Sequence, residues 1–281
     1  RHLPWNLGQF GSNTSFTMTR TNYVAAIDAL EKLLEIAAID LGGSPSDYDI
    51  ADERVYLKSD PSIFITYANA AARAIELRGK YSGQYVPEDI NSMTSRSVQA
   101  LAGTGLIGVA KDNLEKEGTV PALAAGFIQI ELDLETGKYE ILDYLGVADC
   151  GTVIHPRGLE IQVKSAAVMG FGMAGYERHA YDPQNGLPAS VGFHNSKLPT
   201  YLDSPTPMDW AAMDIPDPQN PVGAKGIGEP IQGCAAAALL CAISDALGGH
   251  LFNRVPVTAD MIVNVASSRT QSHGRVQTNT T

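Results

Sequence analysis

The amino-acid sequence predicts an α+β fold with two sub-lobes of mixed strands and packed helices. Apolar residues recur at helical spacing over residues 22–41, where a double glycine ends the pattern, and again from Ile231 onward. Between these segments, residues 127–133 alternate apolar and polar side chains, and a Gly-containing turn leads into a second extended run. Helices combined with an antiparallel hairpin are typical of the α+β class.

The first sub-lobe is assigned to residues 1–125. Its opening is rich in Gly, Ser, Thr and Asn and is predicted to be irregular. The helix over 22–41 follows, and after it come a short strand at 55–57 and a second helix over 65–77. The segment over 80–94 is rich in turn-forming residues.

The second sub-lobe is assigned to residues 126–266 and begins with the hairpin. A helix follows His155-Pro156, and its Ser, Ala and Gly residues favour very close packing. Four of its residues are predicted to face a core: Ile161, Ala166, Val168 and Met169. A proline-rich connection over 185–221, with one predicted strand, leads to the Ala-rich helix and a short terminal helix. The polar tail, 267–281, lacks periodicity and is predicted to be disordered.

Composition argues against several classes of function. The net charge of −11 makes nucleic acid an unsuitable partner, because binding a phosphate backbone requires a basic surface. The three cysteines form no CxxC pair, so no zinc or iron–sulfur site is indicated. No apolar run approaches the roughly 18–20 residues of a membrane span, and no signal peptide is visible. We expect no membrane span and a cytoplasmic location, with the periplasm as the alternative. The chain begins at Arg1 rather than Met and is expected to be part of something larger.

The segment most informative about function covers residues 221–248. A loop that contains Gly226 and Gly228 leads through Glu229 into the Ala-rich helix, and Pro230 suits the first turn of that helix. Two interpretations of Glu229 are open at this point. It is either a first-turn carboxylate that complements the helix dipole, or a base aimed at a ligand that the glycines allow to approach closely. The GxxxxGK[ST] spacing is absent, which argues against a nucleotide triphosphatase.

Two further segments contain candidate binding residues. One is a short loop whose backbone N–H groups and hydroxyls suit an anion, although an ordinary surface loop is the alternative; it consists of Gly11, Ser12, Asn13 and Thr14. The other is the helix after His155-Pro156, where Gln162 is an amide among apolar and small residues. Gln162 is either simply exposed or donates hydrogen bonds to a buried ligand, since buried amides need partners.

Three separated stretches of the chain together resemble one family. They are VADCGTVIHPRGLEIQVKSAAVMGFG, KLPTYLDSPTPMD and PVGAKGIGEPIQGCAAAALLCAISDALG. In order and spacing they resemble the large subunit of the molybdenum hydroxylases, the family of xanthine dehydrogenase, aldehyde oxidoreductase and carbon monoxide dehydrogenase. The resemblance covers residues 4–265 and corresponds to the C-terminal, molybdenum-cofactor-binding half of that subunit.

The resemblance implies roles for the candidate residues. Glu229 stands where the family has the glutamate of its GxGEP motif, so it is implied to lie beside the molybdenum atom and to act as the catalytic base. Gln162, the glycines Gly226 and Gly228, and the loop of residues 11–14 are implied to bind molybdopterin. No residue is implied to ligate the metal directly, because the pterin holds it.

Two positions depart from the family pattern. Asn13 stands where many relatives have Arg, so a charge-assisted contact to cofactor or substrate is missing there. Lys164-Ser165 stands where Glu-Gly is frequent in the family, and the sequence gives no consequence for this second difference.

The resemblance also implies a cofactor, partners and a reaction. The cofactor is molybdopterin with molybdenum, expected in its cytosine dinucleotide form. The expected partners are a chain with the N-terminal half of the subunit, an iron–sulfur subunit and a flavin subunit that carries FAD. The implied enzyme is an oxidoreductase that hydroxylates an aldehyde or an N-heteroaromatic small molecule, with water as oxygen source. Carbon monoxide oxidation and dehydroxylation of an aromatic thioester are alternatives within the family, and a non-catalytic assembly subunit is the alternative from another class.

Overall fold

The computed structural model describes residues 8–117, 120–193 and 196–273, which form two compact units. Of these residues, 8–10, 14–117 and 218–221 belong to the first unit. The second unit contains 11–13, 222–273 and the described residues between 120 and 217. Helices and two small three-stranded sheets make up the units, which confirms the α+β class. None of the described helices is both long and apolar enough to cross a membrane.

The compact units differ from the predicted sub-lobes because each takes a short segment that is distant in sequence. Asn220 Nδ2 donates hydrogen bonds to the Phe16 carbonyl (3.0 Å) and to Thr19 Oγ1 (2.6 Å), which ties residues 218–221 to the first unit. Residues 11–13 belong to the second unit, where the Ser12 carbonyl packs closely against Gly226. These contacts join residues about 200 positions apart. Sequence patterns reflect only neighbouring residues, so they predicted that each short segment belongs with its neighbours in sequence.

The first unit consists of a long helix, an antiparallel meander and two shorter helices. Its elements are α1 (Thr14–Leu41), β1 (Tyr48–Ala51), β2 (Arg54–Leu57), β3 (Asp60–Thr66), α2 (Tyr67–Leu77) and α3 (Ser92–Leu101). The strands are ordered β1-β2-β3, and Val55 pairs with Ile65. Strands β1 and β3 and helix α3 were not among the predicted elements.

Two helices of the first unit begin at other residues than predicted. Helix α1 starts at Thr14 rather than at residue 22, although its first turns are rich in Ser and Thr, which have low helix propensity. The hydroxyl of Thr19 donates to the Ser15 carbonyl (2.6 Å), so its polar side chain is satisfied within the helix. Helix α2 starts at Tyr67 rather than at residue 65, because residues up to Thr66 belong to β3.

Two buried cations fix α1 within the first unit. The Arg20 guanidinium pairs with Asp112 (2.7 Å) and donates to the Leu114 carbonyl (2.7 Å). The Lys32 ammonium pairs with Asp28 (2.6 Å) and donates to the Ile107 carbonyl (2.9 Å). Both charges are therefore compensated, as burial requires.

The second unit contains the hairpin, the proline-rich connection and three helices. Its elements are β4 (Ala124–Leu132), β5 (Tyr139–Ala148), α4 (Pro156–Gly175), β6 (Met208–Ala212), α5 (Glu229–Ala246) and α6 (Ala259–Ala266). Strands β4 and β5 are antiparallel, which confirms the predicted hairpin. Strand β6 lies parallel to β5, in the order β4-β5-β6.

Helices α4 and α5 pack very closely at Gly170. A Cβ at this position would lie 2.5 Å from the Gln232 carbonyl oxygen and 2.9 Å from the Ala235 Cβ. Only glycine leaves room for that approach, which confirms the predicted role of the small residues in α4.

The buried face of α4 differs from the predicted face. Ala166 is buried as predicted, and Val168 is half-buried, but Ile161 is 64% exposed and Met169 is 47% exposed. The core-facing residues are Leu159, Val163, Ala166, Ala167, Gly170, Phe171 and Ala174. Apolar residues lie on both sides of α4, so periodicity alone did not identify the side that packs.

The described part of the C-terminal tail contacts α6. The Arg269 N–H donates to the Asn264 carbonyl (2.7 Å), and Gln271 Nε2 donates to the Met261 carbonyl (3.0 Å). These hydrogen bonds fall within residues 267–273, at the start of the segment predicted to be disordered. Residues 274–281 of that segment lie outside the described residues.

Candidate functional site

The predicted loop and helix around Glu229 are confirmed. Helix α5 begins at Glu229, and Pro230 occupies its first turn, where a missing N–H leaves no unpaired donor. Gly228 precedes the helix with a φ of +144°, a backbone conformation that side chains rarely adopt. The sequence therefore places a carboxylate at the N-terminus of α5, directly after a residue that must be glycine.

The DCG segment after β5 holds this loop. The Lys225 N–H donates to the Cys150 carbonyl (2.8 Å), and the Thr152 N–H donates to the Gly223 carbonyl (2.8 Å). A Cβ at Gly151 would lie 2.0 Å from the Gly223 carbonyl oxygen, so a glycine is needed for this approach. Two of the motifs that carried the family resemblance thus lie side by side.

An ion pair adds to the same junction. Lys225 Nζ lies 2.6 Å from Asp149 Oδ2, and both side chains are largely buried. No role for these two residues was predicted from the sequence. The available signal was one charged residue in each of the two adjoining motifs, but 76 residues separate them.

Ser12 contacts Glu229 through two hydrogen bonds. The Ser12 hydroxyl donates to Glu229 Oε2, and the Glu229 N–H donates to Ser12 Oγ at 3.3 Å. Ser12 is buried and has a φ of +53°. A Cβ at Gly226 would lie 1.4 Å from the Ser12 carbonyl oxygen, so Gly226 permits the loop around Ser12 to pack on the loop before α5.

These contacts lower the pKa of Glu229. The largest cause is the hydrogen bond from the Ser12 hydroxyl, followed by one from the backbone N–H of Glu229 itself. Burial opposes them, and the backbone N–H groups of Gly11 and Ser12 contribute further in the same direction as the hydroxyl. Lys225, the charged residue of the same loop, is held by Asp149. These hydrogen bonds therefore stabilise the ionised form of the Glu229 carboxylate and extend it to lower pH.

Gln162 approaches the same point from α4. It lies on the exposed side near the start of that helix, and its Oε1 is 3.5 Å from where a Gly228 Cβ would be. Its amide forms no hydrogen bond with the part of the chain that the structure describes. Nearby, Lys164 pairs with Glu160 one turn earlier in α4 (2.6 Å).

The structure thus brings five of the predicted site residues together, namely Ser12, Gln162, Gly226, Gly228 and Glu229. Of the other three, Gly11 contributes its backbone N–H to the Glu229 carboxylate. Gly11 has a φ of +61° and open space beside it, and Asn13 is exposed. Thr14 is the first residue of α1 and belongs to the first unit, where its N–H donates to Gln9 Oε1 (3.1 Å).

The donor set at this site fits an organic cofactor. It consists of an amide without a partner among the described residues, a hydroxyl, backbone N–H groups and one carboxylate, and it contains neither His nor Cys. Amides and N–H groups bind phosphate, carbonyl and ring nitrogen atoms. A molybdenum atom held by a pterin needs no protein ligand, so such a cofactor does not require metal-ligating side chains in this set.

Two cavities of the second unit lie away from this set of residues. One of about 840 Å³ is lined by residues such as Met173, Arg254 and Asp260. The other, of about 400 Å³, lies beside Tyr139 and Tyr176. Neither is lined by Ser12, Gln162 or Glu229; Gln162 and Glu229 are exposed, whereas Ser12 is buried.

Comparison with known proteins gives a family. The model of the molybdopterin cofactor-binding domain matches residues 1–205. The gamma subunit of the 6-hydroxypseudooxynicotine dehydrogenase complex of Paenarthrobacter nicotinovorans is 28% identical to this chain over 261 residues, which are 92% of this chain and 30% of that protein. The large subunit of nicotine 6-hydroxylase from the same organism is 33% identical over 136 residues, 48% of this chain and 16% of the relative.

Solved structures agree with these sequence matches. The crystal structure of the Cu,Mo-CO dehydrogenase in its carbon monoxide reduced state superposes with a TM-score of 0.69 at 25% identity, covering 94% of this chain and 31% of the other. The fold and the match to the family model identify a molybdopterin cofactor-binding domain. The chain belongs to the molybdenum hydroxylase family, and the family resemblance is confirmed. It spans about a third of the length of the relatives it matches.

Proposed function

We propose that this chain is the part of a molybdenum-dependent hydroxylase that supplies the catalytic carboxylate, Glu229. The observation that carries the proposal is the convergence of the Glu229 carboxylate with the Gln162 amide, which has no partner among the described residues, at a glycine-lined surface. Membership of the molybdenum hydroxylase family supports a cofactor at this surface. A carboxylate that only complements a helix dipole needs neither the glycines nor a distant loop.

The residues of this chain have distinct parts in the proposed reaction. When bound, the molybdenum cofactor supplies a two-electron redox centre. Gln162 binds and orients the cofactor through its amide, and Gly226 and Gly228 keep the surface free of side chains. Glu229 accepts a proton at Oε1, because Oε2 already receives the Ser12 hydroxyl. The remaining candidate residues, Gly11, Asn13 and Thr14, are proposed to complete the loop beside the cofactor.

The proposed substrate is an N-heteroaromatic small molecule, hydroxylated with water as oxygen source. Two relatives support this choice, since one is a nicotine 6-hydroxylase and the other a 6-hydroxypseudooxynicotine dehydrogenase. An aldehyde is the second candidate, because aldehyde oxidoreductase molybdenum-binding subunits also match. Carbon monoxide is a third, supported by the match to the large chain of carbon monoxide dehydrogenase. No specific observation supports dehydroxylation of an aromatic thioester.

The proposed assembly is heteromeric. The chain spans 30% of the length of the dehydrogenase gamma subunit, so we propose that a further polypeptide supplies the rest of a large subunit. Iron–sulfur and FAD-containing subunits are proposed as electron carriers, and the cofactor is proposed to be the cytosine dinucleotide form of molybdopterin. The described residues include no group of His, Cys, Asp and Glu able to hold a metal ion, which leaves the electron carriers to partners. We propose a cytoplasmic location for the complex, with the periplasm as the alternative.

Elemental analysis tests this proposal. The complex isolated through this chain from its native host is expected to contain molybdenum together with several iron atoms. Each N-heteroaromatic and aldehyde candidate is then added, and the one that bleaches the iron–sulfur absorption is the substrate. A complex with intact partners but without molybdenum would support the alternative of a non-catalytic assembly subunit, and Glu229 would then be a helix-capping carboxylate.

A further inference from the structure

We infer that Ser12 is the positioning residue of Glu229: it holds Oε2 of the carboxylate and leaves Oε1 to face the bound ligand. The inference rests on the proposed function for the role of Glu229, but its geometric basis is independent of it. The two residues are 217 positions apart and are joined by a hydrogen bond in each direction.

Ser12 is fixed more firmly than the carboxylate it contacts. Ser12 is 6% exposed, whereas Glu229 is classed as exposed. The missing side chain of Gly226 lets the Ser12 carbonyl pack so closely that a Cβ there would be 1.4 Å away. Ser12 has a φ of +53°, and its hydroxyl contacts both the carboxylate and the N–H of Glu229 at the N-terminus of α5. The buried partner therefore orients the exposed one.

The backbone of the same loop supports this assignment. The N–H groups of Gly11 and Ser12 act on the Glu229 carboxylate in the same direction as the Ser12 hydroxyl. The N–H groups of this loop, which suit an anion, therefore act on the Glu229 carboxylate of the same chain. The predicted cofactor contact of this loop stays a prediction, and its N–H groups also act on Glu229.

Fixing one carboxylate oxygen has a chemical consequence. A free glutamate presents either oxygen to its surroundings and samples several rotamers, whereas Glu229 held at Oε2 presents Oε1 in one orientation. Proton transfer requires a donor–acceptor distance of about 2.6–3.2 Å, so orientation limits its rate. Loss of the Ser12 hydroxyl is therefore expected to lower kcat about tenfold, while KM changes little.

The first test uses the full chain without cofactor and follows the carboxyl carbons of labelled glutamate and aspartate by NMR from pH 2.5 to 7. Glu229→Gln and Asp260→Asn assign the two signals of interest. Ser12→Ala and Ser12→Gly both remove the hydroxyl, but glycine also suits a φ of +53° and relieves any backbone strain. Circular dichroism confirms that each variant is folded.

Thr258→Ala is the matched control. The Thr258 hydroxyl donates to Asp260 Oδ1 at the N-terminus of α6, and this hydrogen bond is the largest cause that lowers the pKa of Asp260. The pKa of Glu229 is expected to rise in both Ser12 variants and to be unchanged in Thr258→Ala. The pKa of Asp260 is expected to rise in Thr258→Ala and to be unchanged in both Ser12 variants. An unchanged pKa of Glu229 in both Ser12 variants would overturn the inference.

A second test separates this inference from the proposed function. In the molybdenum-containing complex, Ser12→Gly is expected to move the acid limb of the kcat/KM profile to higher pH together with the fall in kcat. A pKa shift in the free chain combined with a complex lacking molybdenum would leave the Ser12–Glu229 pair intact and refute the enzyme. A molybdenum enzyme whose acid limb is unmoved by Ser12→Gly would refute the positioning role alone.

Discussion

The N-termini of helices α5 and α6 each carry a carboxylate that accepts a hydrogen bond from a hydroxyl, but the two hydroxyls come from different parts of the chain. Each helix has an acidic residue in its first turn, Glu229 in α5 and Asp260 in α6, and in each case a hydroxyl lowers the pKa of the carboxylate. At α6 the hydroxyl belongs to Thr258, two positions earlier. At α5 it belongs to Ser12, 217 positions earlier.

The difference indicates that Glu229 is held by tertiary contacts, whereas Asp260 is held by a local one. A hydroxyl two residues away is within reach in any helix N-terminus of this kind, without help from other parts of the chain. A hydroxyl from a distant loop has to be brought in by tertiary contacts, at the entropic cost of closing a long loop. Here those contacts depend on Gly226 and on the positive φ of Ser12. The local pair needs no functional explanation, whereas the distant one does.

The largest expected effect concerns activity. Glu229→Gln keeps the shape of the side chain but removes the base, so turnover of the complex is expected to fall at least 100-fold, the lower range for a general base. Asp260→Asn, the matched change at α6, is expected to leave kcat within about twofold. Steady-state kinetics measures both variants, with molybdenum content as the control for cofactor loading. Full turnover by Glu229→Gln would refute the catalytic assignment.

Sequence patterns predicted the elements at both helices but not the contact at Glu229. Periodicity, Pro230 and the glycines placed α5 correctly, because those signals lie within a few residues of each other. The Ser12–Glu229 contact has no local signal, since nothing in either segment encodes its partner. The same limit applies to strand β6, whose parallel pairing with β5 joins segments about 60 residues apart.

The second largest effect is expected for stability at Gly226, in the loop before α5, and Gly233 within α5 is its control. Gly226→Ala would put a Cβ 1.4 Å from the Ser12 carbonyl oxygen, so the loop has to move. A loss of about 1–3 kcal/mol in the free energy of unfolding is expected, as for overpacking of a close contact. Urea unfolding of the full chain measures this loss, and the pKa of Glu229 is expected to rise with it.

Gly233 provides the control for that substitution. It lies on the exposed side of α5, with nothing within 4 Å of its added Cβ. Gly233→Ala is therefore expected to stabilise the chain by about 0.5–1 kcal/mol, through helix propensity alone. If both variants behaved alike, the close approach of Ser12 to Gly226 would be wrong.

The pH dependence of stability tests both helix ends together. The pKa values of Glu229 and Asp260 are lowered in the folded chain, so each group adds stability above its unfolded pKa, about 4.3 for Glu and 3.9 for Asp. That stability is lost as the pH falls through the folded pKa. Glu229→Gln and Asp260→Asn are each expected to flatten the decline in urea midpoint below about pH 4. Unchanged slopes in both variants would contradict the lowered pKa values.

The smallest effect is expected at the local pair. Thr258→Ala removes one exposed hydrogen bond to Asp260, so the free energy of unfolding should fall by less than about 1 kcal/mol. Ser12→Ala keeps a Cβ at the positive φ of Ser12 but removes a hydroxyl that both donates to Glu229 and accepts from its N–H, and this hydroxyl is buried. Its loss leaves the Glu229 N–H without that acceptor at the helix end, so it should destabilise more than Thr258→Ala. Urea unfolding at pH 7 compares the two variants. Equal losses would mean that the distant hydroxyl holds its carboxylate no better than the local one.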